Sequence, residues 1–351
     1  MHSDLLAMTK DELTAFVLEN GMPSYRAAQI LSHLMRGDSP MEMTTLPRAL
    51  RDMLAEKTAF RLPRILEKQV SHKDETAKYL LELSDGECIE SVLMSYKHGH
   101  TLCISSQVGC RMGCRFCAST LGGRVRNLYA SEMLGQIIAV EKDAGVRVAG
   151  VVMMGIGEPL DNYDETIRFL RRAIAPDGLN IGARHISLST CGLVPAIRRL
   201  ADENLAITLS ISLHAASDSA RSAIMPINDA YCLDELLRAV SDYFRKTGRR
   251  ISFEYTLLAG QNDAEADADR LAKLLHRYLD PAPIHVNLIR VNEVRETAFR
   301  HGSQKSADDF ASALRRRGIN ATLRRRLGDD VDAACGQLRR KRQQNDQDIT
   351  V

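Results

Sequence analysis

Apolar residues recur at helical spacing through the first sixty positions and at strand-like spacing soon after. Thr9 followed by Glu12 predicts a capped helix through ELTAFVLEN, stopping at Gly21. Ser24 predicts the cap of a second, with Ile30, Leu31, Leu34 and Met35 on one stripe before Gly37. PRALRDMLAEK predicts a third, with proline near its first turn. The runs AKYLLEL, IESVLMS and HTLCISS then read as strands.

Beyond residue 130 the two periods alternate. Ser131 is read as the cap of EMLGQIIAVEKDAG, which precedes the strand VAGVVMMG. Asn162 is read as the cap of YDETIRFLRRAIA, which precedes HISLST. VPAIRRLADE precedes LAITLSISLH, LDELLRAVSDYFRKTG precedes ISFEYTLL, AEADADRLAKLLHRYL precedes IHVNLIR, and ADDFASALRRRG precedes INATLRRRL. Such repetition predicts an α/β fold with a parallel sheet, and periodicity alone leaves open whether it is open or closed into a barrel. In these sheets sites form where strands end. The strand ends read MMGIGEP, SLSTCG, SISLHA and NLIRVN, each with Gly, Ser, His or Asn.

Composition narrows the setting. The 351 residues are 44% hydrophobic with a net charge of +2, enough for a sizeable core and too little charge to argue a partner. No apolar run reaches membrane-span length and the first residues lack a signal pattern, so a cytoplasmic protein away from membranes is expected. In such a reducing compartment eight cysteines point to metal binding or catalysis rather than static disulfides. Residues 1–60 carry six basic against eight acidic side chains, so this helical block is no RNA clamp by charge.

Three of the eight cysteines stand in GCRMGCRFCAS: Cys110, Cys114 and Cys117 form C-x3-C-x2-C in a loop after a strand. Thiolates are soft ligands for iron–sulfur clusters or zinc. Three local ligands leave one iron of a cluster open, or else leave a zinc knuckle to be completed by a distant Cys or His. GIGE, residues 155–158, offers glycines for close backbone approach and a carboxylate for an ammonium group, or simply a tight turn. Cys335 stands apart, among small residues beside Gly336. Around it, residues 310–342 hold nine arginines and one lysine against three acids, a phosphate track or a solvated charged face.

The C-x3-C-x2-C spacing is similar to that of radical S-adenosylmethionine enzymes. SSQVGCRMGCRFCASTLGG, VVMMGIGEPLDN, GARHISLSTCG, SISLHA, IMPIN, GRRISFEYTLL, HVNLI and DVDAACGQLR together resemble the RlmN/Cfr family of RNA methyltransferases, from SYRAAQI to the tail. The resemblance implies a partial (β/α)6 TIM-like barrel, the radical S-adenosylmethionine core, over residues 96–328. It also implies an N-terminal helical domain over 1–62, a connecting β segment over 63–95 and a C-terminal segment over 329–351. It implies one 4Fe–4S cluster on Cys110, Cys114 and Cys117, with two S-adenosylmethionine molecules per turnover. Gly157, Glu158, Ser189, Ser212, Leu213, His214 and Asn292 would contact that cofactor.

The implied reaction is methylation of adenine carbon 2 in 23S rRNA and tRNA. Cys335 is first methylated, and a radical then takes hydrogen from its S-methyl group. The methylene adds to adenine, Glu90 removes the adenine proton, and Cys103 attacks Cys335 to release product through a transient disulfide. An electron donor such as flavodoxin and a monomeric protein are implied as well. Cys88, Cys191 and Cys232 receive no role. Arg290 stands where RlmN sequences have proline and Cfr-type sequences arginine, which keeps carbon 8 open. A radical enzyme acting on a peptide or small molecule, and a non-enzymatic iron–sulfur or zinc nucleic-acid-binding module, are the competing classes.

Overall fold

The computed structural model describes residues 3–280, 282–291, 299–325, 327, 328, 330, 331 and 338. The short strand β1 (Ser3–Asp4) leads into helices α1 (Lys10–Glu19), α2 (Tyr25–Leu34) and α3 (Arg48–Lys57), and β2 (Thr58–Ala59) pairs back with β1. Strands β3 (Arg64–Val70), β4 (Ala77–Glu82), β5 (Cys88–Tyr96) and β6 (Gly99–Cys103) follow, then the small hairpin β7 (Gln107–Gly109) and β8 (Arg124–Asn127).

Next come α4 (Ala130–Ala144), β9 (Val148–Met153), α5 (Tyr163–Ile174), β10 (Ile186–Thr190), α6 (Val194–Leu200) and β11 (Thr208–Ser212). Two short helices, α7 (Asp218–Ile224) and α8 (Ile227–Ala230), precede α9 (Leu233–Thr247) and β12 (Ile251–Leu257). The described elements close with α10 (Glu265–Leu279), β13 (Ile284–Arg290), α11 (Gln304–Arg316) and β14 (Asn320–Leu323).

Ten strands form one sheet in the order β14-β13-β12-β11-β10-β9-β6-β5-β4-β3. From β6 through β9 to β14 every pairing is parallel, while β3 to β6 pair antiparallel. This is the α/β fold expected, and its antiparallel arm continues the sheet. One cavity takes lining residues from β5 (Met94), β6 (Thr101), β9 (Val152), β10 (Ser187), β11 (Ser210), β12 (Ser252) and β13 (Asn287), so the sheet curls around an interior without pairing its edges.

The strand alternation explains that interior. Ile186, Leu188, Leu209, Ile211, Phe253 and Val286 are buried in the core on the outer side, alongside apolar residues of the helices. The intervening Ser187, Ser210, Ser252 and Asn287 face inward, with the Ser187 and Ser210 hydroxyls 2.8 Å apart. Period-two patterning therefore gives apolar packing outside and a polar lumen.

Helix ends follow the sequence unevenly. Thr9 forms the predicted capping box, accepting from Glu12 N at 3.1 Å while its own N donates to Glu12 Oε2 at 2.7 Å. Ser24 precedes α2 without a side-chain cap bond. Ser131 lies inside α4, and its hydroxyl donates to Asp4. Asn162 precedes α5 but donates instead to Ser106 O and Leu128 O, at 2.9 and 2.8 Å. Tertiary partners claim these polar groups over the local cap.

Candidate active site

The hairpin of β7 and β8 projects the cysteine loop. Gly109 holds φ +75°, and a Cβ there would collide with the Gly123 carbonyl, so the hairpin neck needs glycine. Within the loop Cys110 N donates to Gly123 O at 3.0 Å and Cys117 N to Cys114 O at 3.0 Å. Arg115 N reaches across to Ile224 O at 2.9 Å.

Cys110, Cys114 and Cys117 line one cavity of about 280 Å³ with Gly157, Glu158, Ser189, Ser212 and His214. Four strand ends and the cysteine loop thus converge, as the strand-end reading anticipates. Leu213 is buried behind the wall, its N donating to Glu254 O at 3.0 Å. Asn292 and Cys335 lie outside the described residues.

Burial first, then the neighbouring charges of Glu158 and Cys117, pushes the Cys110 thiol up to about 12. Burial and the Cys117 and Cys110 thiols raise Cys114 likewise. Among the described residues no three His, Cys, Asp or Glu side chains stand close enough together to hold a single metal ion. A 4Fe–4S cluster with an open iron needs soft donors on one side only. Three mutually influencing thiols on one wall, facing polar strand ends, fit that requirement. Cys191 also lines the cavity, but its thiol sits against Glu158, whose negative charge raises it further after burial.

The GIGE glycines serve the chain's own backbone. A Cβ on Gly155 would lie 2.6 Å from Ile104 O, and one on Gly157 would lie 2.7 Å from Gln107 N. Glu158 is buried, and burial raises its pKa. Its Oε1 accepts from Leu160 N at 3.1 Å and its Oε2 from Cys191 N at 2.8 Å. Those bonds, with others from the Thr190 and Cys191 side chains, fix the carboxylate at the cavity wall.

His214 sits at φ +58°, with Nδ1 accepting from Thr256 N at 3.0 Å and its ring edge-on to Phe116. Nε2 therefore carries the hydrogen. Burial, reinforced by Arg221, lowers its pKa to about 3. An unfolded histidine titrates near 6.5. This group's stabilisation is full above that value and is lost as pH falls toward 3. Glu158 and Glu254, raised by burial, act with the opposite sign. H214N, whose oxygen can accept from Thr256, should flatten the His214 contribution. The urea midpoint at pH 5, taken relative to that at pH 7, should be higher in H214N than in the parent.

A clasp unforeseen from sequence fastens the cysteine loop. Asp161 accepts from Arg111 Nη2 at 2.5 Å, Arg124 Nη1 at 2.9 Å and Gln107 Nε2 at 2.9 Å. Burial alone would raise this carboxyl, but the bonds from Arg111 and Gln107 outweigh it and hold it below the usual range. Arg111 lies between the first two cysteines, so Asp161 ties that stretch to the segment after GIGE. D161A should cost about 1–3 kcal/mol and speed iron loss from loaded protein to a chelator.

Cys103 ends β6, buried with Val92, Met94, Val152, Met154 and Leu327. Glu90 is also buried, and Lys78 Nζ lies 3.1 Å from its carboxylate. Nothing in the sequence pairs these two. On the same strands, Leu338 packs with Leu80 and Cys88. Asp330 accepts from Ser71 Oγ at 2.6 Å and His72 N at 2.9 Å. Residues on both sides of position 335 are thus held to the antiparallel arm.

The basic stretch divides. Arg316 and Arg317 pair with Glu265, and Arg317 also with Asp269, joining α11 to α10. Arg324 instead lines the cavity. Residues 339–342 lie outside the described residues.

A family model described as the Radical SAM superfamily matches residues 104–272. A Clostridium botulinum (strain Eklund 17B / Type B) protein named "Probable dual-specificity RNA methyltransferase RlmN" is 50% identical over 338 residues, covering 96% of each chain. A Clostridium tetani protein of the same name is 47% identical over 339 residues, again covering 96% of each. The crystal structure of a radical SAM methyltransferase from Sphaerobacter thermophilus superposes with a TM-score of 0.90 at 41% identity, covering 95% of this chain and 98% of that one. Among the described residues no helix is long and apolar enough to cross a membrane.

Proposed function

The chain belongs to the RlmN family of dual-specificity RNA methyltransferases within the radical SAM superfamily, and from that membership we propose that it methylates carbon 2 of an adenosine in 23S rRNA and in tRNA. The observation carrying the reading is the meeting of three loop thiols with Glu158, Ser189, Ser212 and His214 in one cavity. Cys110, Cys114 and Cys117 would hold a 4Fe–4S cluster, which when bound would supply the single electron that cleavage of S-adenosylmethionine requires.

The remaining roles belong to side chains. Glu158 receives the cofactor's ammonium group, and Ser189, Ser212 and His214 bond its polar edges, with the backbone of Gly157 and Leu213 and with Asn292 completing the contacts. Carbon 2 of adenine is not nucleophilic, so a direct polar methyl transfer fails. Cys335 carries the methyl group as a thioether, and two S-adenosylmethionine molecules are consumed per product. Glu90 takes the adenine proton, held in place by Lys78. Cys103 releases the product by pairing with Cys335, from a dry apolar setting that limits competing thiol exchange.

Unmodified rRNA and tRNA can be incubated with anaerobically reconstituted protein, digested, and their nucleosides identified by mass spectrometry. 2-Methyladenosine is expected in both. 8-Methyladenosine instead, the outcome Arg290 keeps open, or no methylated adenosine, overturns the reading.

A further inference from the structure

Glu254 is a buried carboxyl with no part in the account above. β12 sets it in register with Ser212 on β11, and it lines the cofactor cavity. It also lines the cavity beneath, so it stands at the boundary of the two. Asn287 Nδ2 donates to its Oε2 at 2.8 Å, and Ser252 Oγ to its Oε1 at 3.3 Å. These bonds come from the neighbouring strand and from its own, and fix the side chain's direction.

A carboxyl group offers about four acceptor sites. Two are used by Asn287 and Ser252, and Arg324, which lines the same two cavities, acts on the group through its charge without a hydrogen bond to it. Burial raises its pKa, with Arg324, Asn287 and Ser252 opposing. Burying such a group without a cation hydrogen-bonded to it costs several kcal/mol unless polar partners complete it. Part of the surrounding cavity wall is apolar and polarisable, from Met112, Phe116, Met154, Met225 and Ile289. Such walls sandwich a flat ring, and the carboxyl at the end selects among rings by their edge groups.

We propose that Glu254 accepts a hydrogen bond from the exocyclic amine of an adenine base and thereby selects adenine in this cavity. Guanine and hypoxanthine present a carbonyl at the equivalent ring position and would leave the buried carboxyl opposed by an acceptor. The inference rests on the RNA-methylation reading, which brings two adenines to this cavity: one in the RNA and one in S-adenosylmethionine. Either can be the partner, and the chemistry is the same.

The test uses reconstituted holoenzyme with the parent chain, E254A and E254M, the last keeping side-chain volume should alanine impair folding. The first arm measures S-adenosylmethionine affinity by equilibrium dialysis. The second compares kcat/KM for an RNA bearing adenosine at the modified position with one bearing purine riboside, which lacks the amine. If the RNA base is the partner, removing the amine costs the parent about tenfold or more and costs the variants nothing further. If the cofactor's adenine is the partner, the variants lose about tenfold or more in affinity, and the RNA ratio stays as in the parent. Unchanged affinity together with an unchanged ratio in both variants overturns the proposal. Failure of the parent to methylate RNA would overturn the functional reading alone, because the affinity arm still reports on Glu254.

Discussion

C335A should cleave S-adenosylmethionine yet yield no methylated RNA. Without the thiol there is no carbon to deliver, because carbon 2 of adenine accepts none from a polar donor. The cofactor cavity should be unaffected: Cys110, Cys114, Cys117, Glu158 and His214 belong to other segments. The fold should persist too, since Asp330 remains bonded to Ser71 and His72 and Leu338 remains packed on Leu80 and Cys88. Deoxyadenosine by chromatography and methyl incorporation into RNA report the two halves separately. C103A, by contrast, should form the link to RNA and fail to release it, leaving a covalent adduct visible on a denaturing gel. Methylation persisting in C335A would remove the carrier from the account.

The largest stability loss is expected for K78M. Lys78 and Glu90 are both fully or nearly fully buried, with their charged atoms 3.1 Å apart. Removing one partner of a buried pair costs about 3–5 kcal/mol, because the other charge remains away from water. Methionine keeps the stem's volume, so the loss reports charge rather than a cavity. E90Q also breaks the pair and leaves the Lys78 ammonium buried without its counter-charge, so it too should lose stability, softened only because the amide oxygen can still accept from Nζ. In the methylation assay the order should reverse: under the proposed mechanism E90Q lacks the proton acceptor, whereas folded K78M keeps it. Urea unfolding measures the first order and RNA methylation the second. Equal stability of K78M and the parent would show that the pair is solvated in solution.

Much of the architecture is legible in the sequence because it depends on local period. From IESVLMS to INATLRRRL each predicted strand and helix is present, and the strand-end residues Ser189, Ser212 and His214 do meet the cysteine loop. What the sequence hides is pairing across distance. Asp161 reaches back fifty residues to Arg111, and Glu90 meets Lys78 only once β4 and β5 pair. Glu254 reads as one more strand residue until Asn287 and Ser252 fix it at a cavity wall. The caps assigned to Ser131 and Asn162 were outbid by Asp4, Ser106 and Leu128, partners no local pattern contains. Arg316 and Arg317, legible as a phosphate track, instead join two helices.

The central claim is that three thiols of one loop hold a cluster whose open face meets S-adenosylmethionine in this cavity. Iron and sulfide counts on anaerobically reconstituted protein, with electron paramagnetic resonance of the reduced form before and after S-adenosylmethionine, test it most directly. The account predicts about four irons and about four sulfides per chain, lost alike in C110A, C114A and C117A, and a spectrum that shifts when the cofactor is added. Bound zinc in place of iron, or a spectrum that S-adenosylmethionine leaves unmoved, would contradict it.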